Sequence, residues 1–579
     1  MKVLLASIDS KYIHSNLAVR SLKKYAEQKL RESGAFCDIE IAEYTINQQP
    51  NKVMADIYKH DADVIMFSCY IWNISFMEKL LSDLAVVRPD VDIWLGGPEV
   101  SFDGDKILEE FPKVRGVMRG EGEETFAKLL SAYAAADEAT DYSVDNFNSV
   151  SGIIYRSSTE AIVCTSQREP LDMDQLPFVY EDLSDFENRI IYYESSRGCP
   201  FRCSYCLSSV DKKLRFRSLD QVKKELKFFL DNNVRQVKFV DRTFNCDHDR
   251  TMEIWRFIRD NDNGITNFHF EMAADILKED EIQLLGQLRP GQVQLEIGVQ
   301  TTNPKTLEAI QRPMDFMKLS RNVERIKQAG NVHLHLDLIA GLPYEDMASF
   351  EKSFNDVFAL RPEQLQLGFL KVLKGSPIAD RCEEYGLKYT AAPPYEVLET
   401  KWISYDDLLK LKQIEEMVEV YYNSGQFART LELLVDEFYN AFEMFAALGK
   451  FYEKRRLDMM NLSRNSRYEK LLEFGAEHVD VDKLRQLMIL DYYSRENVKT
   501  RPEFLGEEAV SKEFAKEFYS LEAREHRYLT SPGLIECEDP RTLRKHTHIE
   551  KTRDGYLLFD YTRRDPITSN ALIVNIEFS

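Results

Sequence analysis

The sequence predicts an α/β protein: two successive parallel-sheet lobes followed by a mainly helical region. Three observations carry that reading. First, short apolar, β-prone runs alternate with amphipathic helical segments from residue 1 to about 140, and again from residue 190 to about 374; such alternation gives parallel strands covered by helices. Second, the chain has 579 residues, which is too long for a single core. Third, helical periodicity replaces the alternation after about residue 375.

The composition is that of a globular chain, 44% hydrophobic, with no apolar run as long as a membrane span. Met1 to Ser7 reads as a buried strand and lacks the basic flank and cleavage site of a signal peptide. Nine cysteines in no paired framework fit a reducing cytoplasm, the expected compartment. The formal charge of −22 argues against a broad nucleic-acid surface, which needs clustered Lys and Arg. The expected substrate is a small molecule or peptide; neither a membrane nor a nucleic-acid partner is expected.

In the first lobe, residues 1–140, the strand candidates are Lys2 to Ala6, Cys37 to Ala42, Val64 to Ser68, Ile93 to Leu95 and Gly116 to Met118. Between them Ala18, Leu22, Tyr25, Ala26 and Leu30 recur at helical spacing, as do Met77, Leu80, Leu81 and Leu84. The pattern predicts a doubly wound, flavodoxin-like sheet, whose ligands lie beyond the carboxyl ends of the strands. Ser7 to His14, Ser68 to Asn73, Gly96 to Ser101 and Gly120 to Glu123 fall on that side. Gly96-Gly97-Pro98 lets a ligand approach the backbone. Gly120-Glu121-Gly122-Glu123 opens a helix with free N–H groups. The same glycines serve equally well as tight turns. Residues 141–188 read as a linker with a hairpin, Ser151 to Tyr155 and Ala161 to Cys164 around a turn at Ser157 to Thr159. Pro170 and Pro177 follow.

In the second lobe, residues 189–375, a strand at Ile190 to Tyr193 runs into E-S-S-R-G-C-P-F-R-C-S-Y-C-L. Cys199, Cys203 and Cys206 stand in a C-x-x-x-C-x-x-C spacing. Three neighbouring thiolates can hold three corners of a cuboidal iron–sulfur cluster and leave the fourth iron open. Structural zinc would need a fourth ligand, and no His stands nearby at zinc-finger spacing. Further strands are expected at Gln236 to Val240, Phe268 to Met272, Gln292 to Val299, Val332 to Ile339 and Gln364 to Phe369, separated by helices. Six strand–helix units suit a partial (β/α)6 TIM-type barrel with its active residues at the carboxyl ends of the strands. This puts Asp241 and Asn245, and Glu296, Gln300 and Thr301, at the mouth; Gly341 and Pro343 allow close approach to a ligand, and Glu345 starts the next helix. Arg197 reads either as facing a cluster or phosphate or as a surface residue. Cys246 reads as a loop thiol.

The cysteine loop, with L-E-I-G-V-Q-T-T-N-P and L-D-L-I-A-G-L-P-Y-E-D, resembles the radical S-adenosylmethionine enzymes. With F-S-C-Y-I-W-N, L-G-G-P-E-V-S and G-E-G-E ahead of it, the whole is similar to their cobalamin-binding members. The resemblance implies a [4Fe-4S] cluster on Cys199, Cys203 and Cys206, and S-adenosylmethionine on its open iron. Tyr205 would meet the adenine, Glu296 and Gln300 the methionine and ribose parts, and Gly341 the adenine by backbone contact. Cobalamin would be lined by Ser68, Tyr70, Gly96, Gly97 and Glu121. The D-x-H-x-x-G signature of histidine-ligated cobalt is missing, and His14 stands in a different context. The implied chemistry is methylation of an unactivated carbon through a 5′-deoxyadenosyl radical, with flavodoxin or ferredoxin as electron donor. Cobalamin-dependent rearrangement or oxidative cyclisation, and a non-catalytic sensor, are the alternatives.

Residues 376–579 read as mainly helical, for example Asp407 to Tyr421 and Thr430 to Leu448. They end in a hairpin, Tyr556 to Tyr561 with Ala571 to Phe578. This part resembles an uncharacterised domain found after some cobalamin-type radical enzymes.

Overall fold

The first strand sets the architecture. β1 (Lys2–Asp9) pairs in parallel with β2 (Asp38–Thr45) on one side and β3 (Val64–Ser68) on the other. In the computed structural model β4 (Asp92–Gly96) and β5 (Val114–Met118) continue the parallel sheet. β6 (Ile153–Arg156) and β7 (Ile162–Cys164) form the expected hairpin and add antiparallel to β5, giving the order β2-β1-β3-β4-β5-β6-β7. The structure describes residues 1–138, 146–210, 213–498, 500–507, 510–552 and 555–577. The expected boundary at residue 140 and the expected strand end at Phe578 lie outside the described residues. Chain contacts divide the protein into two units, Met1–Gln287 with Leu307–Pro313 and Phe369–Lys401, and Leu288–Thr306 with Met314–Gly368 and Trp402–Ser579.

Alternation along β1 explains why helices cover both faces. Leu4, Ala6 and Ile8 enter one core with Val53 and Ile57 of α2 (Pro50–Lys59) and Met77, Leu80, Leu81 and Leu84 of α3 (Ile74–Val87). Val3 and Leu5 enter the other with Val19, Tyr25, Ala26 and Leu30 of α1 (Leu17–Ser33) and Phe126, Leu129 and Leu130 of α5 (Glu123–Glu138). A short helix, α4 (Gly104–Glu110), belongs to the first of these faces. The buried face of α1 carries Val19 where Ala18 was expected, and Ala18 is exposed. The Asn16 side chain, accepting from the Val19 N–H, caps the helix and fixes that phase.

Ile8 and Asp9, expected beyond the strand, belong to it. Polar residues at the end of an apolar run look like a turn, yet here the Ser7 hydroxyl donates to Asp9 and accepts from Asn16.

In the first unit the chain continues through β8 (Ile191–Tyr193), then β9 (Ser196–Arg197) paired antiparallel with β10 (Arg215–Phe216). α6 (Leu219–Asp231), β11 (Gln236–Phe239), α7 (His248–Asp260), β12 (Asn267–Met272) and α8 (Glu279–Leu285) follow, with β11 parallel to both β8 and β12. The second unit carries β13 (Val293–Gln300), α10 (Phe316–Ala329), β14 (His333–Ala340), α11 (Met347–Phe358) and β15 (Gln364–Phe369), β13 and β14 being parallel; a short α9 (Pro304–Ala309) stands between β13 and α10. Phe350, Phe354 and Val357 of α11 are fully buried, as their spacing predicts.

Helices dominate the rest of the second unit, among them Tyr405–Met417, Ala441–Lys454 and Val481–Arg495. The chain ends in three antiparallel strands, Thr547–Thr552, Gly555–Arg564 and Ala571–Ile576, one more than the expected hairpin. The extra strand, T-H-I-E-K-T, is too polar to stand out in the sequence, although Thr547, Ile549 and Glu550 are buried.

Gly97 shows how tightly the ligand side of the first sheet is built. Its φ is +113°, and a Cβ there would lie 2.4 Å from the Cys69 carbonyl oxygen. Gly97→Ala is expected to lower stability by about 2 kcal/mol or more, from strain and backbone overlap together. Urea unfolding checks this, and an unchanged midpoint would contradict it.

Candidate functional site

The cysteine loop is held at its root by one carboxylate. Asp241, just past β11 and 1% exposed, accepts from the Ser195 N–H (2.7 Å), the Ser195 hydroxyl (2.6 Å) and the Ser196 hydroxyl (2.7 Å). Burial pushes its pKa up against these hydrogen bonds. Asn245 bridges to the end of the next strand, donating to the Ala273 carbonyl and accepting the Ala273 N–H. Both residues were expected to face the mouth; both brace loops instead, because their polar atoms are saturated by buried backbone and hydroxyl groups.

Gly198 has φ +94°, and a Cβ there would fall 2.7 Å from the Lys213 carbonyl oxygen, so the R-G-C turn needs glycine. Further on, the buried Ser204 donates its N–H to the Ile310 carbonyl and accepts from the Ile378 N–H, each at 2.8 Å. The three thiols therefore hang from a backbone fixed on both sides. Cys199 lies 3.6 Å from the Thr243 hydroxyl, and burial raises its pKa. Cys203 is buried, with Arg312 Nη1 at 3.5 Å from its sulfur. Tyr205 is held protonated well above the usual phenol range, first by burial, with Arg312 and the thiols of Cys203 and Cys206 around it. Burial opposes the charge on Arg312, but its hydrogen bond to the Cys203 sulfur and the Asp275 carboxylate favour it. Spacing gave no hint of Arg312, which is 109 residues from Cys203. None of the nine cysteines is in a disulfide. Among the described residues no three His, Cys, Asp or Glu side chains converge on one ion position.

Arg197 is neither on the surface nor turned to a phosphate. Its guanidinium is buried against Glu123 (2.8 Å) and Glu194 (2.7 Å), with Glu121 at 3.3 Å. Arg215 pairs with the other side of Glu121. Burial alone would raise the Glu123 carboxyl, but Arg197 holds it below the ordinary value. The network joins the G-E-G-E loop of the first sheet to the cysteine loop.

Beside it lies a cavity of about 410 Å³. Asp9, His14, Tyr70, Trp72 and Glu123 line it from the first sheet; Tyr192, Glu194, Arg197 and Arg242 line it from the cysteine-loop side. The Tyr70 and Trp72 rings stack at 4.3 Å and 8°, a flat apolar platform. His14 Nδ1 is 2.6 Å from the Tyr192 hydroxyl.

Of the residues expected around cobalamin, Tyr70 is on the cavity wall. Ser68 and Gly96 are the last residues of neighbouring strands, in register with each other, and the Asn16 amide donates to the Ser68 hydroxyl. Gly97 packs against Cys69. The Glu121 carboxylate is committed to Arg197, Arg215 and the Leu171 N–H, and Glu123 lines the cavity in its place. Asp9 and Asn16, on the ligand side, were not singled out from the sequence.

The second unit holds the remaining predicted residues. Gln300 ends β13 at φ +72°, and its buried side-chain Oε1 has no partner. Glu296 stands opposite His335 in the strand pair, and Gly341 follows β14 at φ +84°. Thr301, expected at the mouth, is instead fixed to the buried Glu345, which accepts from the Thr301 hydroxyl (2.6 Å) and the Ser353 hydroxyl (2.9 Å).

Two parallel-sheet lobes, one carrying a three-cysteine loop, define the class, and comparison with known domains agrees. Residues 193–357 match the Radical SAM superfamily and residues 2–130 the B12 binding domain, so the chain is a radical SAM protein with an N-terminal B12-binding domain. The two domains imply a [4Fe-4S] cluster, S-adenosylmethionine and cobalamin. Residues 383–566 match a domain described as a protein of unknown function, DUF4080.

The "Cobalamin-dependent radical SAM methyltransferase TokK" of Streptomyces tokunonensis is 27% identical over 394 residues, 63% of this chain and 55% of that protein. The "2-(S-pantetheinyl)-carbapenam-3-carboxylate methyltransferase" of Streptantibioticus cattleyicolor is 24% identical over 350 residues, 57% of this chain and 50% of that one. The chain thus spans about half the length of these curated relatives. The solved structure of "Cobalamin-dependent S-adenosylmethionine radical enzyme OxsB with aqua-cobalamin bound" aligns with a TM-score of 0.57 at 14% identity, over 85% of this chain and 80% of that one, a likeness of fold. Among the described residues no helix is long and apolar enough to cross a membrane.

Two predictions follow from these buried charges. Arg197→Met would leave Glu123 and Glu194 buried without their cation and should cost about 3–5 kcal/mol in urea unfolding, with Arg197→Lys between the two. Glu345 has its pKa pushed by burial from 4.5 to about 7. The folded state therefore holds this proton more tightly than the unfolded chain. Its contribution is fully present below about pH 4.5 and is lost as pH rises to about 7, on the order of 3 kcal/mol. The urea midpoint of Glu345→Gln relative to the parent should rise across that interval; a flat difference would refute the assignment.

Proposed function

We propose that this chain is a cobalamin-dependent radical SAM methyltransferase that methylates an unactivated carbon of a small molecule or peptide, with flavodoxin or ferredoxin as electron donor. The observation that carries the reading is the pinned three-cysteine loop, joined through Arg197 to the ligand side of a B12-binding sheet, with a cavity beside the joint. The methyltransferase names of the two curated relatives support the choice of reaction.

The residues present fit the implied groups. Cys199, Cys203 and Cys206 would hold the cluster, and Arg312 sets a positive charge beside the Cys203 sulfur. Gln300, whose buried oxygen lacks a donor, would meet S-adenosylmethionine, with Glu296 and Gly341 of the same unit. Tyr70 and Trp72 offer a flat face to a macrocycle, and Ser68, Gly96, Gly97 and Glu121 would shape the seat of its nucleotide tail. Bound together, the cofactors supply hydrogen-atom abstraction and a transferable methyl group; the protein aligns them and excludes water. The Asp241 staple and the Ser204 anchors hold the sulfurs still, and the Arg197 network fixes the cysteine loop relative to the sheet.

The test is anaerobic reconstitution with iron, sulfide and hydroxocobalamin, then S-adenosylmethionine labelled in its methyl group, a strong reductant and an anaerobic cell extract as the source of substrate. The parent should form 5′-deoxyadenosine and pass label to a product heavier by one methyl-for-hydrogen exchange. Cys203→Ala should lose the cluster's visible absorbance and both products. A parent with full cluster and corrinoid that leaves S-adenosylmethionine uncleaved would overturn the reading.

A further inference from the structure

In the first sheet the strand order turns back on itself between β1 and β3, and the crevice over such a reversal is where ligands of doubly wound sheets settle. Asp9 is the last residue of β1 at that crevice. It lines the cavity and is 5% exposed. Its Oδ1 accepts from the Ser7 hydroxyl at 3.1 Å, and its Oδ2 is buried with no partner. A buried carboxylate oxygen without a donor is unfavourable, and this one faces a cavity from which a bound molecule can supply a donor.

The neighbours do not. Arg20 and Arg189 both bind Glu43, each at 2.7 Å. His14 turns Nδ1 to the Tyr192 hydroxyl. Arg20 and Arg189 face Glu43 and Asp9, and Arg20 also has Asp185 at 3.6 Å, so both positive charges are already answered by carboxylates. Asp9 therefore lacks a hydrogen-bond donor rather than a cation. That excludes an anionic ligand group at this point and gives an ammonium no special advantage. A neutral N–H fits.

The rim of an amidated corrin ring carries neutral primary carboxamides, each with two N–H donors. We propose that Asp9 is a corrinoid-recognition residue: its Oδ2 accepts an N–H of a corrin side-chain carboxamide, selecting amidated corrinoids over their carboxylic-acid forms. This rests on reading the cavity as the corrinoid site. A rim carboxylate in the same place would bring like charge and no donor to a buried oxygen. Asp9 also sets a pH limit on this contact. Burial pushes its carboxyl up to about 6, with Ser7, Arg189 and Arg20 opposing and Glu43 adding to the shift. His14, Tyr70, Tyr192, Glu123, Glu194, Arg197 and Arg242 also line the cavity that Asp9 faces. Binding through an ionised Asp9 weakens as pH falls through that value.

The experiment uses the full-length protein without corrinoid, titrated at pH 7.5 with cobinamide, whose side chains are amides, and with cobyrinic acid, whose side chains are carboxylic acids. Visible absorbance of the corrinoid is the readout. The parent should bind cobinamide the more tightly. Asp9→Ala should weaken cobinamide by about 10- to 100-fold, the range for a hydrogen bond to a charged group, and narrow the gap between the two ligands by a similar factor. Asp9→Asn keeps a carbonyl acceptor and should retain part of the affinity without the loss below about pH 6; it also serves if the alanine variant fails to fold. An unchanged affinity ratio in a folded variant would overturn the assignment while leaving the corrinoid reading intact. A parent that binds no corrinoid would overturn both.

Discussion

The structure turns on one buried guanidinium. Arg197 sits two residues before the first cysteine of the loop and reaches carboxylates from two parts of the chain, Glu194 three positions back and Glu123 seventy-four positions away. A buried charge is tolerated only when its partners are fixed and its hydrogen bonds are made. The helix start at Glu123 and the strand end at Glu194 therefore have to be placed together for Arg197 to be buried at all. That requirement carries the ligand side of the first sheet to the cysteine loop, and the cavity lies against the joint. Arg215 answers the third carboxylate, Glu121. The arginine at this position joins the two segments, its guanidinium committed to carboxylates at the edge of the cavity.

A second layer of the same logic surrounds the loop. Asp241 gathers three donors from Ser195 and Ser196, and Asn245 ties the following turn to the next strand end. The polar residues nearest the cysteines are thus mostly committed to backbone and to each other. Asp9 Oδ2 at the first crevice and Gln300 Oε1 at the end of β13 are among the buried side-chain oxygens left without donors.

Much of the architecture was legible because apolar runs and their spacing report burial directly. Val64 to Ser68 and Gln364 to Phe369 were read to the residue. The three cysteines and Tyr70 were legible because each sits in a short local pattern. What escaped depends on partners far apart in sequence. Arg197 looks the same on a surface as in a buried network until Glu121 and Glu123 are brought beside it. Arg312 reaches Cys203 across 109 positions. Ile8 and Asp9 read as lying beyond the strand because a polar residue, Ser7, after Leu4-Leu5-Ala6 normally ends one; here Asn16 satisfies Ser7, and Ser7 in turn satisfies one oxygen of Asp9. The strand at Thr547–Thr552 was hidden for a similar reason, since Glu550 is buried by pairing with Arg501 and His548.

The two backbone hydrogen bonds at Ser204 bear on how the metallocentre is assembled. With its carbonyl and N–H both fixed by distant segments, the loop is ordered by the fold alone. Cys199, Cys203 and Cys206 would then receive iron and sulfide on a backbone already fixed, and little backbone entropy would be surrendered on loading. Maturation can follow translation and folding as a separate event. Oxidative loss of the iron should leave an intact chain that can be recharged, whereas a zinc-finger-like domain collapses once stripped of its metal.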